Sequence, residues 1–98
     1  MRIHWHNTHW LDREGRERVE ALLFDLAEQG AHDLIDVRIT GRPSRHKGHS
    51  MHEVHITCDA RGKEIVVVET GKKMDKVLHD ALGTFKQRVR KMREMRVS

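Results

Sequence analysis

The sequence contains no tyrosine, and Trp5, Trp10, Phe24 and Phe85 are its only aromatic residues. Four aromatics are too few for a sheet that stacks on bases, as RNA-recognition motifs do. The single cysteine, Cys58, excludes an internal disulfide framework and suits a reducing, cytoplasmic setting. No apolar run approaches the roughly 20 residues that span a bilayer, so no membrane partner is expected. The opening MRIHWHNTHW has no apolar stretch of signal-peptide type. Walker loops, dinucleotide fingerprints and Gly-x-Ser-x-Gly elbows are missing. No acid and base can be paired for catalysis either. The expectation is a protein that is not an enzyme, with no cofactor and no small-molecule substrate.

What the chain has is charge, unevenly placed. At 98 residues, 37% hydrophobic and 35% charged, it can build one domain around a single two-layer core. The net charge is +4, yet residues 12–36 hold three arginines against eight acids. Residues 37–63 carry six basic side chains against two acidic ones. From Lys86 onward there are six basic residues and one acid, Glu94. This polarity favours nucleic acid or another anionic surface over a neutral small molecule.

Hydrophobic periodicity sets the elements. Arg2 to His6 alternates, with Ile3 and Trp5 on one side, and predicts a short strand. Asp12 is a good N-cap for a helix running to Gln29, with Val19, Leu22, Leu23 and Leu26 inward. Gly30 is placed to end it. A second strand is expected over Leu34 to Thr40, with Ile35, Val37 and Ile39 inward. The segment GRPSRHKGHS, residues 41–50, is then expected to be a long, mobile, basic loop. His52 to Ala60 and Lys63 to Thr70 read as two further strands, joined by a tight turn at Arg61 and Gly62. Beyond Gly71, Met74, Val77, Leu78, Ala81, Leu82, Phe85, Val89 and Met92 recur at steps of three and four. They predict a long helix with an apolar inner face and a basic outer one.

The expected fold is an α+β two-layer sandwich in the order β-α-β-β-β-α. Its four-stranded mixed sheet has the first two strands parallel and carries both helices on one face. The open sheet face would hold His4, His6, Arg38, Thr40, Glu53, His55 and Thr57, with Val66 and Val68 as apolar exceptions.

Nine histidines raise the question of a metal. His46, His49, His52 and His55 recur at every third position, but on a strand that spacing alternates faces. No cysteine or carboxylate completes a closed site, so no metal is expected. Cys58 and His55 likewise point to opposite faces, and Cys58 reads as a buried core thiol. The remaining signal is phosphate chemistry: lysines and arginines that release counterions. The candidate RNA-binding residues are Lys72, Lys73 and Lys76, Lys86, Arg88, Arg90, Lys91 and Arg93 in the last helix region, Arg42, Arg45 and Lys47 in the loop, and Arg16 in the first helix.

GKEIVVVETGKKMDKVLHDAL, residues 62–82, and the following helix ending RKMREM resemble the ribosome hibernation-promoting factor family, which includes the ribosome-associated translation inhibitors. Leu11, Arg16, Val19, Ala21, Leu23 and Leu26 extend the likeness into the first helix. The resemblance implies a single ribosome-binding domain that contacts ribosomal RNA near the decoding region of the small ribosomal subunit. There it would inhibit translation or store idle ribosomes. It matches Lys91, Arg93 and Arg16 to basic positions of the family, whereas Lys86, Arg88 and Arg90 are proposed on charge alone. Leu22 and Asp25 stand where the family carries lysines. The chain resembles a short form without the C-terminal dimerisation domain, expected to be a monomer off the ribosome.

Two other readings arise from the residues. Residues 12–98 also run α-β-β-β-α, and Lys72, Lys73 and Lys76 open the last helix as in a double-stranded RNA-binding domain. A protein-interaction module using Val66, Val68 and the open sheet face is the third.

Overall fold

The computed structural model describes residues 1–97. The elements are β1 (Arg2–His6), α1 (Arg13–Gln29), β2 (Asp36–His46), β3 (His49–Ala60), β4 (Lys63–Gly71) and α2 (Met74–Val97). The strands form one sheet in the order β1-β2-β3-β4. β1 and β2 are parallel, and the other two pairings are antiparallel. The expected α+β sandwich and its element order are therefore what the chain adopts.

Alternation builds the core. Trp5, Ile39, Ile56 and Val67 form one cross-strand row on the inner face. Ile39, Ile56 and Val67 are fully buried, and they pack with Leu23 of α1 and Phe85 of α2 in one cluster. The opposite row, His6, Thr40, His55 and Val68, faces outward. Both helices thus cover one sheet face and leave the other open. Each follows a strand of the same direction, so α1 and α2 run parallel with their N-termini at one end of the molecule.

Two expectations about the strands need correction. Ile35 does not face inward: it is 43% exposed, while Leu34 is buried in its stead. The cause is local. Ala31 and His32 take left-handed backbone conformations, with φ of 54° and 58°, and Asp33 is buried in a polar contact described below. β2 consequently begins one residue later than Ile35.

The second correction concerns residues 41–50, which are not a loop. β2 and β3 run through them to a two-residue turn at Lys47 and Gly48, where φ is 51° and 80°. Two positive φ values match the turn type whose twist suits a hairpin, and glycine takes the second without strain. Arg61 and Gly62, at 46° and 87°, repeat the device between β3 and β4. Pro43 is tolerated because β1 pairs with β2 only as far as Thr40, so beyond that point β2 is an edge strand. Counted back from the turn, the Pro43–His52 pair is non-hydrogen-bonded, so the missing N–H would have faced solvent. β4 pairs with β3 only as far as His52 and Gly71. Residues 44–51 therefore extend as a two-stranded arm beyond the sheet.

The helix ends show how the layers are fastened. Asp12 caps α1, its side chain accepting a hydrogen bond of 2.8 Å from the Gly15 N–H. At the other end Gly30 is the C-cap, but with φ of −113° rather than a left-handed value. Its lack of a side chain serves contact: a Cβ there would lie 2.3 Å from the Arg93 guanidinium. Arg93 donates to both carboxylate oxygens of Asp33, at 2.9 and 2.7 Å, and to the carbonyl of Leu26 at 2.7 Å. It thereby satisfies a carbonyl that the end of α1 leaves without an intrahelical partner. Arg96 adds a bond to the Ala60 carbonyl at 2.8 Å and a longer one to Asp33. One buried carboxylate thus ties α2 to the α1–β2 connection, and Arg96 extends the tie to the end of β3.

Gly83 lies on the exposed side of α2, and a Cβ there would meet nothing within 4 Å. Gly83→Ala is expected to stabilise the domain by about 1 kcal/mol through helix propensity. Urea unfolding should show a higher midpoint at unchanged slope.

Candidate nucleic-acid interface

The twelve candidate basic residues fall into three groups. Arg45 and Lys47 are exposed on the arm, and Arg42 is exposed at its root. Lys72 and Lys73 connect β4 to α2, and Lys76 lies in the first turn of that helix; all three are exposed. Because the arm leaves the sheet at the end where both helices begin, these six cations share one pole of the molecule. The second group follows the outer side of α2. Lys76, His79, Gly83, Lys86 and Arg90 recur at steps of three and four, so they form one stripe. Lys91 is exposed beside it. Lys86 and Arg90 line the groove between the helices opposite Leu22, Asp25, Leu26 and Gln29. Asp25 places a negative charge against that end of the stripe.

The third group is engaged by contacts within the protein. Arg93 is the buried clasp on Asp33, with its side chain 19% exposed. Arg16 donates to the Thr8 hydroxyl and carbonyl, at 3.2 and 3.4 Å, and its guanidinium lies 5.6 Å from the centre of the Trp5 ring. Trp5 in turn donates its indole N–H to Glu20 at 3.0 Å. Arg88 is exposed, but it donates to the backbone carbonyl of Val66 on the outer strand β4. That contact covers a free acceptor on a sheet edge. We therefore leave Arg16 and Arg93 out of the candidate surface and assign Arg88 first to the edge.

Electrostatics at the start of α2 favour an anion. The Val77 N–H bonds to the Lys73 carbonyl at 3.0 Å, which makes Lys73 the residue at the cap position. A lysine side chain has no acceptor, so it cannot cap the free N–H groups of the first turn. Three lysines also stand at the positive end of the helix dipole, where cations are disfavoured unless an anion joins them. Asp75 is the one acid in that turn.

The neighbouring chemistry has structural explanations. Cys58 is buried, and burial, with the nearby Asp59, Asp33 and Asp36, pushes its thiol up to about 12. It is a protonated, inert group at neutral pH. On the open face His55 bonds to Glu53, and that bond is the main reason the Glu53 carboxyl sits below the usual carboxylate range. His46 and His49 face each other across the last pair before the turn. Among the described residues no group of three or more metal-ligating side chains gathers.

Neither a protein-family model nor a curated protein sequence matches the chain. No helix among the described residues is long and apolar enough to cross a membrane.

Sequence reasoning missed two features of the site. One is the Asp33 clasp, because nothing in the order of residues joins Asp33 to Arg93 across 60 positions. The other is a cleft at the basic pole, lined by Trp10, Pro43 and Met74 among others. Its residues come from the β1–α1 loop, β2, β3 and α2, and they meet only once the sheet and α2 are assembled.

Proposed function

We propose that this chain is a ribosome-binding domain of the hibernation-promoting type. It docks on the small subunit through ribosomal RNA near the decoding region and holds idle ribosomes inactive, in the cytoplasm and without catalysis. The observation that carries the reading is the basic track from Arg42 and the arm through Lys72, Lys73 and Lys76 to Lys86, Arg90 and Lys91, interrupted along α2 at His79 and Gly83. It lies on one pole and one helix, with Asp25 of α1 as the acid that lines the same groove as Lys86 and Arg90. Phosphates would neutralise the track, and the uncapped start of α2 would take one of them. The deep major groove of an RNA duplex excludes side chains, so recognition would rest on backbone shape rather than base sequence along this track.

A second reading is favoured by one observation. The arm and the three lysines at the start of α2 share one end, as a groove-and-phosphate contact with double-stranded RNA requires. Such a module needs only a duplex of about 16 base pairs.

Co-sedimentation with purified small subunits in a sucrose gradient, at low and moderate salt, separates the two. Stoichiometric binding that survives moderate salt is the expected result, with weaker binding to the isolated duplex. Equal binding to subunit and duplex would select the second reading. Absence of binding to either would discard both.

A further inference from the structure

At the basic pole, beside the start of α2, is an open cleft of about 470 Å³, a size that suits a small planar group. Trp10, Pro43 and Met74 form its apolar part, and Arg42, His9 and His52 its polar rim. The indole of Trp10 is fixed in two ways. Its N–H donates to the Asn7 carbonyl at 2.8 Å, and the ring lies against the Gly41 backbone, where a Cβ would come within 2.7 Å of Nε1. With that N–H already engaged, the indole offers an occupant only its π-surface and C–H edge. The proline ring and the methionine thioether add polarisable apolar contacts.

The charge around the cleft is selective. Lys72 and Lys73 directly precede Met74, and Arg42 is on the rim. A flat apolar seat surrounded by cations fits a flat, uncharged group carried on a polyanion. We infer that this cleft takes one unpaired nucleobase of a bound RNA strand, with its flanking phosphates held by Arg42, Lys72 and Lys73. The inference deepens the RNA-binding reading above and rests on it. It adds a single-strand contact that neither a smooth duplex nor the outer stripe of α2 provides.

The test uses a single-stranded RNA hexamer and the same hexamer with one central base removed. In a Trp5→Phe protein, shown by circular dichroism to be folded, Trp10 is the only tryptophan. The intact hexamer should quench its emission and bind about tenfold more tightly than the abasic one, the range expected for stacking of one base. Trp10→Leu in the otherwise natural sequence keeps an apolar wall but removes the stacking surface. It should abolish the preference for the intact strand over the abasic one. Equal affinity for the two hexamers, or no quenching on binding, would overturn the inference. Subunit co-sedimentation is read in parallel. If subunits bind and the hexamers are not distinguished, only the cleft assignment fails. If the hexamers are distinguished and subunits do not bind, the cleft stands as an RNA site and the ribosomal reading fails.

Discussion

Reversing Lys86, Arg90 and Lys91 to glutamate is expected to weaken small-subunit binding at least about 100-fold, with the fold unchanged. All three belong to the outer part of α2, and no ion pair joins any of them to another described residue. Each reversal removes a phosphate partner and adds a like charge against the RNA backbone. Arg93 must be left out of the set. Although it lies in the same basic run, its replacement would leave Asp33 buried without its main partner. Arg38→Glu, on the open sheet face opposite the helices, is a single-reversal control that puts its charge change on the other side of the sheet and should alter affinity by no more than about twofold, since exposed charges far apart are screened. Subunit binding by the triple variant at the natural affinity, with a native circular dichroism spectrum, would remove α2 from the interface.

The largest effect on stability belongs to Asp33. Asp33→Asn is expected to destabilise the domain by about 3 kcal/mol at neutral pH, because two arginines would face a buried site without a counter-charge. For a chain of this size the loss corresponds to a fall in Tm of roughly 15 °C. The hydrogen bond from Arg93 is the main cause that holds the Asp33 carboxyl below its ordinary value of 3.8, helped by the charges of Arg93 and Arg96 and opposed by burial. A carboxylate with a depressed folded pKa contributes stability that is full above its unfolded pKa. That contribution is lost as pH falls through the lower folded value. Urea titrations should therefore show the natural protein and the variant far apart at pH 7 and converging below about pH 4. Equal stabilities at pH 7 would show that the clasp contributes nothing.

The layered fold was legible because its signals are periodic and local. The alternation of β1, the Asp12 cap and the three-four spacing of α2 each mark an element without reference to any other. The arm was not legible for the opposite reason. Gly41, Pro43 and a run of exposed polar residues resemble a loop, and only the end of β1 at His6 explains why a proline can sit in β2. Gly48 after Lys47 carried the same signal as Gly62 after Arg61, but no apolar alternation flanked it. The basic residues were legible as a composition and not as a surface. Arg93 and Lys91 look equivalent in sequence, yet one faces inward because an acid 60 residues earlier meets it.

The arm has a thermodynamic consequence for any partner it grips. Had residues 41–50 been a mobile loop, a partner would have had to freeze them, at about 1 kcal/mol or more of backbone entropy per residue. The paired strands have already lost that freedom during folding. Association therefore begins from a preorganised limb, and contacts made by Arg42, Arg45 and Lys47 pass into affinity with little deduction for ordering.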